Sequence, residues 1–422
     1  MGASPRRAAG GALPFVLNLR LYRTSWIVAG VALIVALLTL STPPEAEVSD
    51  RPFAFEGAEA LRLTQQLSGV AGERPAGSEA DSRSADWVRA RLAEVPGDNP
   101  VQTQEFEART DRGRLLLRNH YLVLPGPGDG GRRGGVLVVA PRDTPEGVRA
   151  GASATGVMLV LADLVARTNN RRPFLFVSTD GSTVGNAGIR WFLSRFEGFD
   201  IEAAVVLDDP GAAVGDVVEI WSLGTDGRAA FDMARLAAAN AEPGARADPT
   251  PSLCRQLIDG AVPQTFGDQG PIVAQGIPAV TLSARRDSPL RRGPDPTERR
   301  LDQVGNAAFR LLGALDEDTS VPGPTHAVTV GEQTLRPGIA RIALILLALP
   351  VLVAAADLFS RLRRARIPFL PGALALTVRA APALTVVIVG YFMVLAGLIP
   401  GLSAGGLPQP QDVPLDATAG LG

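Results

Sequence analysis

Lysine is missing altogether: all 41 basic residues among the 422 are arginine. That excludes a Schiff-base lysine, a P-loop phosphate lysine and the lysine of a protein-kinase site. A single cysteine, Cys254, leaves no intramolecular disulfide and no cysteine-rich metal centre. Histidine is nearly missing too, with only His120 and His326, so a site built on two imidazoles would have to use both. An excess of one charge is also lacking. The 41 basic residues face 43 acidic ones, a net charge of −2, which offers no electrostatic handle for nucleic acid. Charged residues make up 20 % of the chain, below the roughly 25 % of soluble domains. That deficit points to membrane segments.

Three long apolar runs are present. Residues 26–40 are uncharged and almost wholly apolar; with Ser25 and Ser41 they reach about 17 residues, the least that spans a bilayer. Arg6, Arg7, Arg20 and Arg23 precede this run, and Glu45, Glu47 and Asp50 follow it. A cleaved signal peptide is the competing reading, disfavoured by the long basic arm and the lack of a small-x-small cleavage site. A second run covers 342–356 and a third 380–399, with Arg361, Arg363, Arg364 and Arg366 between them. The positive-inside rule places that loop and the N-terminal arm in the cytoplasm. The expected organisation is an arm at 1–24, a span at 25–41, a linker at 42–52, an extracytoplasmic domain at 53–318 and a linker at 319–338. A span at 339–359, an arginine-rich cytoplasmic loop at 360–379, a span at 380–400 and a low-complexity, disordered tail at 401–422 complete it. This describes a multi-pass cell-membrane protein. No charge lies mid-span, so no ion path is visible.

Between the anchors the pattern is globular. Helical periodicity is expected at 57–67, 79–93, 157–167, 189–196, 228–239 and 298–315, and strands at 101–106, 115–124, 136–140, 174–178, 203–207, 217–221 and 279–283. Strands alternating with helices predict an α/β fold with a mostly parallel sheet. In such sheets ligands bind beyond the carboxyl ends of the strands. Three of those ends carry polar groups directly after an apolar run: Pro141-Arg142-Asp143, Thr179-Asp180-Gly181-Ser182 and Asp208-Asp209. Asp208 and Asp209 are adjacent, so their side chains should point to opposite faces. The arginines between 285 and 300 read as a solvated loop, because Pro and Asp separate the pairs.

These strand ends resemble metallopeptidase family 28, the di-zinc aminopeptidases and carboxypeptidases. The likeness covers about residues 61–315. It is carried by Gly72-Glu-Arg-Pro-Ala-Gly-Ser78 before a helix, by Arg118-Asn119 ahead of Leu122–Gly126, by Asp180-Gly181, and by Gly276-Ile277-Pro278-Ala279 entering the last strand. It implies a three-layer α/β/α sandwich of the zinc-exopeptidase kind, with a mostly parallel mixed sheet. It also implies a ligand set of two His, two Asp and one further acid, with a separate Glu as general base. Laid on this sequence, the first His position is Pro141, with the orienting acid kept as Asp143. The bridging Asp falls on Ala152. The Glu-Glu pair that supplies base and ligand falls on Ser182 and Thr183. The next Asp is matched by Asp208, and the last His, after Asp268, falls on Gln269. One ligand position of five, Asp208, keeps its residue type.

Zinc takes imidazole or anionic donors at about 2 Å, and Pro and Ala offer none. Without the metal an attacking water keeps a pKa of about 15.7, and without the Glu nothing takes its proton. The resemblance, with its ligand positions replaced, therefore implies a catalytically inactive peptidase-like domain acting as a binding or scaffold module. The site positions at Pro141, Asp143, Ala152, Ser182, Thr183, Asp208 and Gln269 are expected to be vestigial, with no metal and no cofactor. The expected partners are the membrane and a protein or peptide, not nucleic acid. The alternative is an active zinc-dependent aminopeptidase that uses unrecognised ligands.

Overall fold

A computed structural model describes residues 18–364, apart from 44, 111–112, 127–133, 212–216, 242–245, 249–250, 262, 288–289, 292–293, 318–320 and 332; beyond 364 it describes only Thr385 and Val389. The described residues form two compact units, one within Thr42–Glu332 and the other within Met1–Ser41 and Gln333–Val389.

The second unit is a pair of helices, α1 (Leu19–Leu38) and α10 (Pro337–Arg364). The buried residues include small ones on both helices, Ser25, Ala29 and Ala36 on one and Ala340 and Ala343 on the other. Small side chains let two helices approach closely. The Asn18 N–H at the start of α1 donates to Asp357 Oδ2 near the end of α10, at 3.2 Å, so the pair is antiparallel. Leu19–Leu38 and Pro337–Arg361 are each long and apolar enough to cross a membrane, and only 17 % and 11 % of their apolar windows is buried, unlike a soluble core helix. Two such helices occur among the described residues where the sequence predicts three. The run at 380–399 lies outside those residues except for Thr385 and Val389, which are helical. The expected tail at 401–422 also lies outside them.

In the larger unit, α2 (Gly57–Val70) buries Ala60, Leu63, Thr64 and Leu67, one face of a 3.6-residue period. Helix α3 (Glu79–Leu92) starts at Ser78, whose side chain accepts from the Asp81 N–H, and carries Arg89 and Arg91 in its last turn, where they complement the helix dipole. The hairpin β1 (Gln102–Thr110) and β2 (Gly113–Leu124) follows. Next come β3 (Gly135–Pro141), α4 (Ala152–Ala166), β4 (Phe174–Thr179), α5 (Ala187–Arg195), β5 (Ile201–Asp208) and β6 (Val217–Trp221). The order then runs α6 (Phe231–Ala239), β7 (Arg246–Asp248), α7 (Leu253–Ala261), α8 (Gln269–Ala274), β8 (Ala279–Ser283) and α9 (Glu298–Glu317).

Eight strands form one mixed sheet in the order β1-β2-β4-β3-β5-β8-β6-β7. The pairings β3–β4, β3–β5, β5–β8 and β6–β7 are parallel. The central strands read as continuous apolar runs because helices cover both faces. On β2, Leu122 and Leu124 join the core beside Val88 and Leu92 of α3, whereas Tyr121, on the other face, meets Phe192 of α5 edge-on at 5.4 Å. The architecture is the three-layer α/β/α sandwich that the sequence predicts. Helix α4 is buried nearly all round. At Gly156 a Cβ would lie 2.4 Å from Thr64 Oγ1 and 2.6 Å from the Ala60 carbonyl oxygen, so only glycine allows α4 and α2 to pack this closely.

One topological feature positions the site. From β3 the chain passes to β4 on one side, then crosses to β5 on the other. A reversal of this kind opens a crevice beyond the carboxyl ends of the strands. Here those ends are Pro141, Thr179 and Asp208.

Candidate functional site

The crevice is a small cleft lined by Pro141, Asp143, Gly151, Ser182, Thr183, Asp208, Phe266, Arg285 and Leu290. It brings together five of the seven predicted positions. Ala152 is buried in the first turn of α4, next to the lining Gly151. Gln269 is buried at the start of α8 and does not line the cleft. Its amide is committed to the interior: Nε2 donates to Thr265 Oγ1 at 2.6 Å, and Oε1 accepts from Thr281 Oγ1 at 2.7 Å. The enclosed part of the cleft is about 30 Å³, room for a water or two.

Each polar position is already engaged. Asp143 caps the loop after β4: its Oδ1 accepts from the Ser182 N–H at 2.9 Å, and its Oδ2 from the Thr183 N–H at 2.8 Å and the Thr183 hydroxyl at 2.5 Å. Burial nevertheless holds its pKa above the ordinary carboxylate value. The Ser182 hydroxyl donates to Asp268 at 2.9 Å, and Asp268 also accepts from Thr179 at 2.7 Å and Asn186 at 2.9 Å. Asp208 and Asp209 diverge, as expected, but not by strand alternation: β5 ends at Asp208 and Asp209 takes a left-handed backbone with φ of 46°. Asp208 faces the cleft. Asp209 turns to the start of α4, where it accepts from the Gly151 N–H at 3.3 Å and the Ser153 hydroxyl at 3.1 Å.

The arginines are what the sequence reading missed. Arg285 belongs to the cleft, not to a solvated loop; its neighbour Arg286 is the exposed one, with a side chain 91 % accessible. Arg285 Nη2 lies 2.5 Å from Asp208 Oδ2, with the two side chains only 17 % and 13 % accessible. Beneath the cleft, Arg142 is wholly buried. It reaches Asp81 at 2.9 Å, Asp180 at 3.3 Å, the Arg118 carbonyl at 2.9 Å and Ser178 Oγ at 3.4 Å. Arg74, also buried, donates to the carbonyls of Ala71, Gly72, Arg142 and Ala150, and burial lowers its pKa to about 10. One available signal was position: Arg142 and Arg285 each fall within two residues of a strand's carboxyl end.

This donor set does not fit a zinc ion. Pro141 has no donor, Asp143 is saturated by N–H and O–H groups, and Asp208 is taken by a guanidinium. His120 lies on β2, bonded through Nδ1 to Thr103 at 2.9 Å; burial, then the charges of Arg142 and Arg118, lowers its pKa to about 3. Among the described residues no group of three or more His, Cys, Asp or Glu is placed to hold a metal ion.

The buried acids make stability depend on pH. Burial pushes Asp209, Asp268 and Asp287 each up to about 6. An unfolded Asp titrates at about 3.9, so between about pH 4 and 6 the folded state binds more protons than the unfolded one. Stability therefore falls as the pH rises through that window. Melting temperatures across it should decline in the wild type and decline less steeply in Asp268→Asn. Parallel profiles would contradict this.

Among solved structures the chain is similar to glutaminyl cyclase from Porphyromonas gingivalis, at 19 % identity over 61 % of this chain and 98 % of that one, with a TM-score of 0.46. A zinc aminopeptidase from Bacillus subtilis is similar at 13 % identity over 62 % and 95 %, TM-score 0.49. An aminopeptidase from Aneurinibacillus sp. strain AM-1 is similar at 10 % identity over 63 % and 95 %, TM-score 0.49. No protein-family model and no curated protein matches the chain.

Proposed function

We propose that this chain is a membrane-anchored protein whose peptidase-like domain is catalytically inactive and serves as a binding or scaffold module for a protein or peptide. The observation that carries this is the engagement of Asp208 by Arg285. The one ligand position that keeps its residue type is paired internally, while Pro141, Ala152, Ser182, Thr183 and Gln269 offer no anionic or imidazole donor.

The arginines Arg20 and Arg23 near the start of α1, and Arg361, Arg363 and Arg364 at the end of α10, support a cytoplasmic placement of those helix ends. The peptidase-like domain is then extracytoplasmic. The test of inactivity uses the full chain in detergent, supplied with zinc and offered aminoacyl reporter substrates and peptides with N-terminal glutamine. Turnover should not exceed the protein-free blank. Saturable turnover abolished by a chelator would establish the enzyme reading instead.

A further inference from the structure

We propose that the Arg285 guanidinium is the resident cation of the cleft, supplying the positive charge that Asp208 needs and making this corner of the fold independent of any metal ion. The proposal rests on the inactive reading and adds what takes the place of zinc chemistry there.

Two carboxylates line the cleft, Asp143 and Asp208. Asp143 is compensated by the N–H groups of Ser182 and Thr183 and by the Thr183 hydroxyl. Asp208 is left needing a cation, and one guanidinium lies 2.5 Å away. The residue that carries this guanidinium is fixed at two backbone atoms as well as at the side chain. The Arg285 backbone N–H donates to Ser283 Oγ at 3.1 Å. The Trp221 indole N–H donates to the Arg285 backbone carbonyl at 3.1 Å. The guanidinium lies over the Trp221 ring, 5.1 Å from its centroid. A surface arginine that meets a carboxylate in passing lacks such seating. Planar stacking together with a donor edge is a property of Arg and not of Lys. A divalent cation at Asp208 would have to displace a seated charge and would then find no second anionic donor free in the cleft.

A double-mutant cycle tests this in the full chain in detergent, with Asp208→Asn, Arg285→Gln and the double variant melted in zinc and in chelator. Each single variant should lower Tm by about 4–10 °C, because each strands a mostly buried charge. The double variant should melt no lower than the worse single one, because the two effects are one interaction. The wild-type Tm should be the same in zinc and in chelator. Arg285→Lys covers the case in which Arg285→Gln does not fold: it keeps the charge and should retain part of the lost Tm. Additive single effects with zinc inert would overturn this proposal alone. A wild-type Tm raised by zinc would overturn both it and the inactive reading.

Discussion

Arg142→Met lowers the stability of the larger unit by about 3–5 kcal/mol, the largest loss expected from any single charged residue here. Arg142 has no exposed side-chain surface and pairs with Asp81 and Asp180, both also buried. Methionine fills similar volume but leaves two carboxylates without a cation in a medium that cannot solvate them. Domains are stable by about 5–15 kcal/mol in all, so the variant should lose about 10 °C of Tm or more, or fail to fold. The two acids should differ. Burial holds the Asp180 carboxyl well above the usual carboxylate range, aided by repulsion from Asp81 and Asp143 and opposed by Arg142. Asp180→Asn removes one carboxylate and its repulsion while leaving Arg142 paired with Asp81, so it should cost far less than Arg142→Met. Thermal melts of both variants decide this; an Arg142→Met protein within about 2 °C of wild type would show that the cluster is not what holds β3 to α3.

Gly188→Ala should be nearly as damaging, at about 3 kcal/mol, through sterics alone. A Cβ at Gly188 would stand 2.2 Å from the Asp180 carbonyl oxygen, 2.8 Å from the Asp180 nitrogen and 2.7 Å from Asn119 Oδ1. Two of these are backbone atoms at the end of β4, and Asn119 is itself fixed, accepting from the Asp180 N–H at 3.1 Å and donating to the Gly188 carbonyl at 2.9 Å. Nothing nearby can yield, so α5 must move off the sheet and take the loop at Ser182 with it. Gly260→Ala, which meets nothing within 4 Å in α7, is the matched control and should leave Tm unchanged or slightly raised. Equal melts for the two would remove the steric argument.

The fold was largely legible because its signals are local. Continuous apolar runs at β3, β4 and β5 announced buried parallel strands, and polar residues directly after them announced the crevice. What escaped depends on distant partners. Strand β7 has three residues, Arg246–Asp248, and exists only through its pairing with β6. Helix α8 opens Gln269-Gly-Pro, a poor helical sequence, and Gln269 is tied to Thr265 and Thr281 from outside it. Helix α4 begins at Ala152, five residues before the expected 157, where the chain packs against α2. In the site, Pro141, Asp143, Ser182, Thr183 and Asp208 could be read from strand ends. Arg285 could not be told from Arg286 by composition. Only the turn after β8, which seats one on Trp221 and leaves the other in water, separates them.

The most direct test is metal stoichiometry. The full chain, purified in detergent, is dialysed against zinc, freed of loose ions, and assayed for bound metal per chain. The account predicts a value near zero on a protein that melts cooperatively. About two zinc ions per chain, as a di-zinc site requires, would contradict it and return the chain to the aminopeptidase reading.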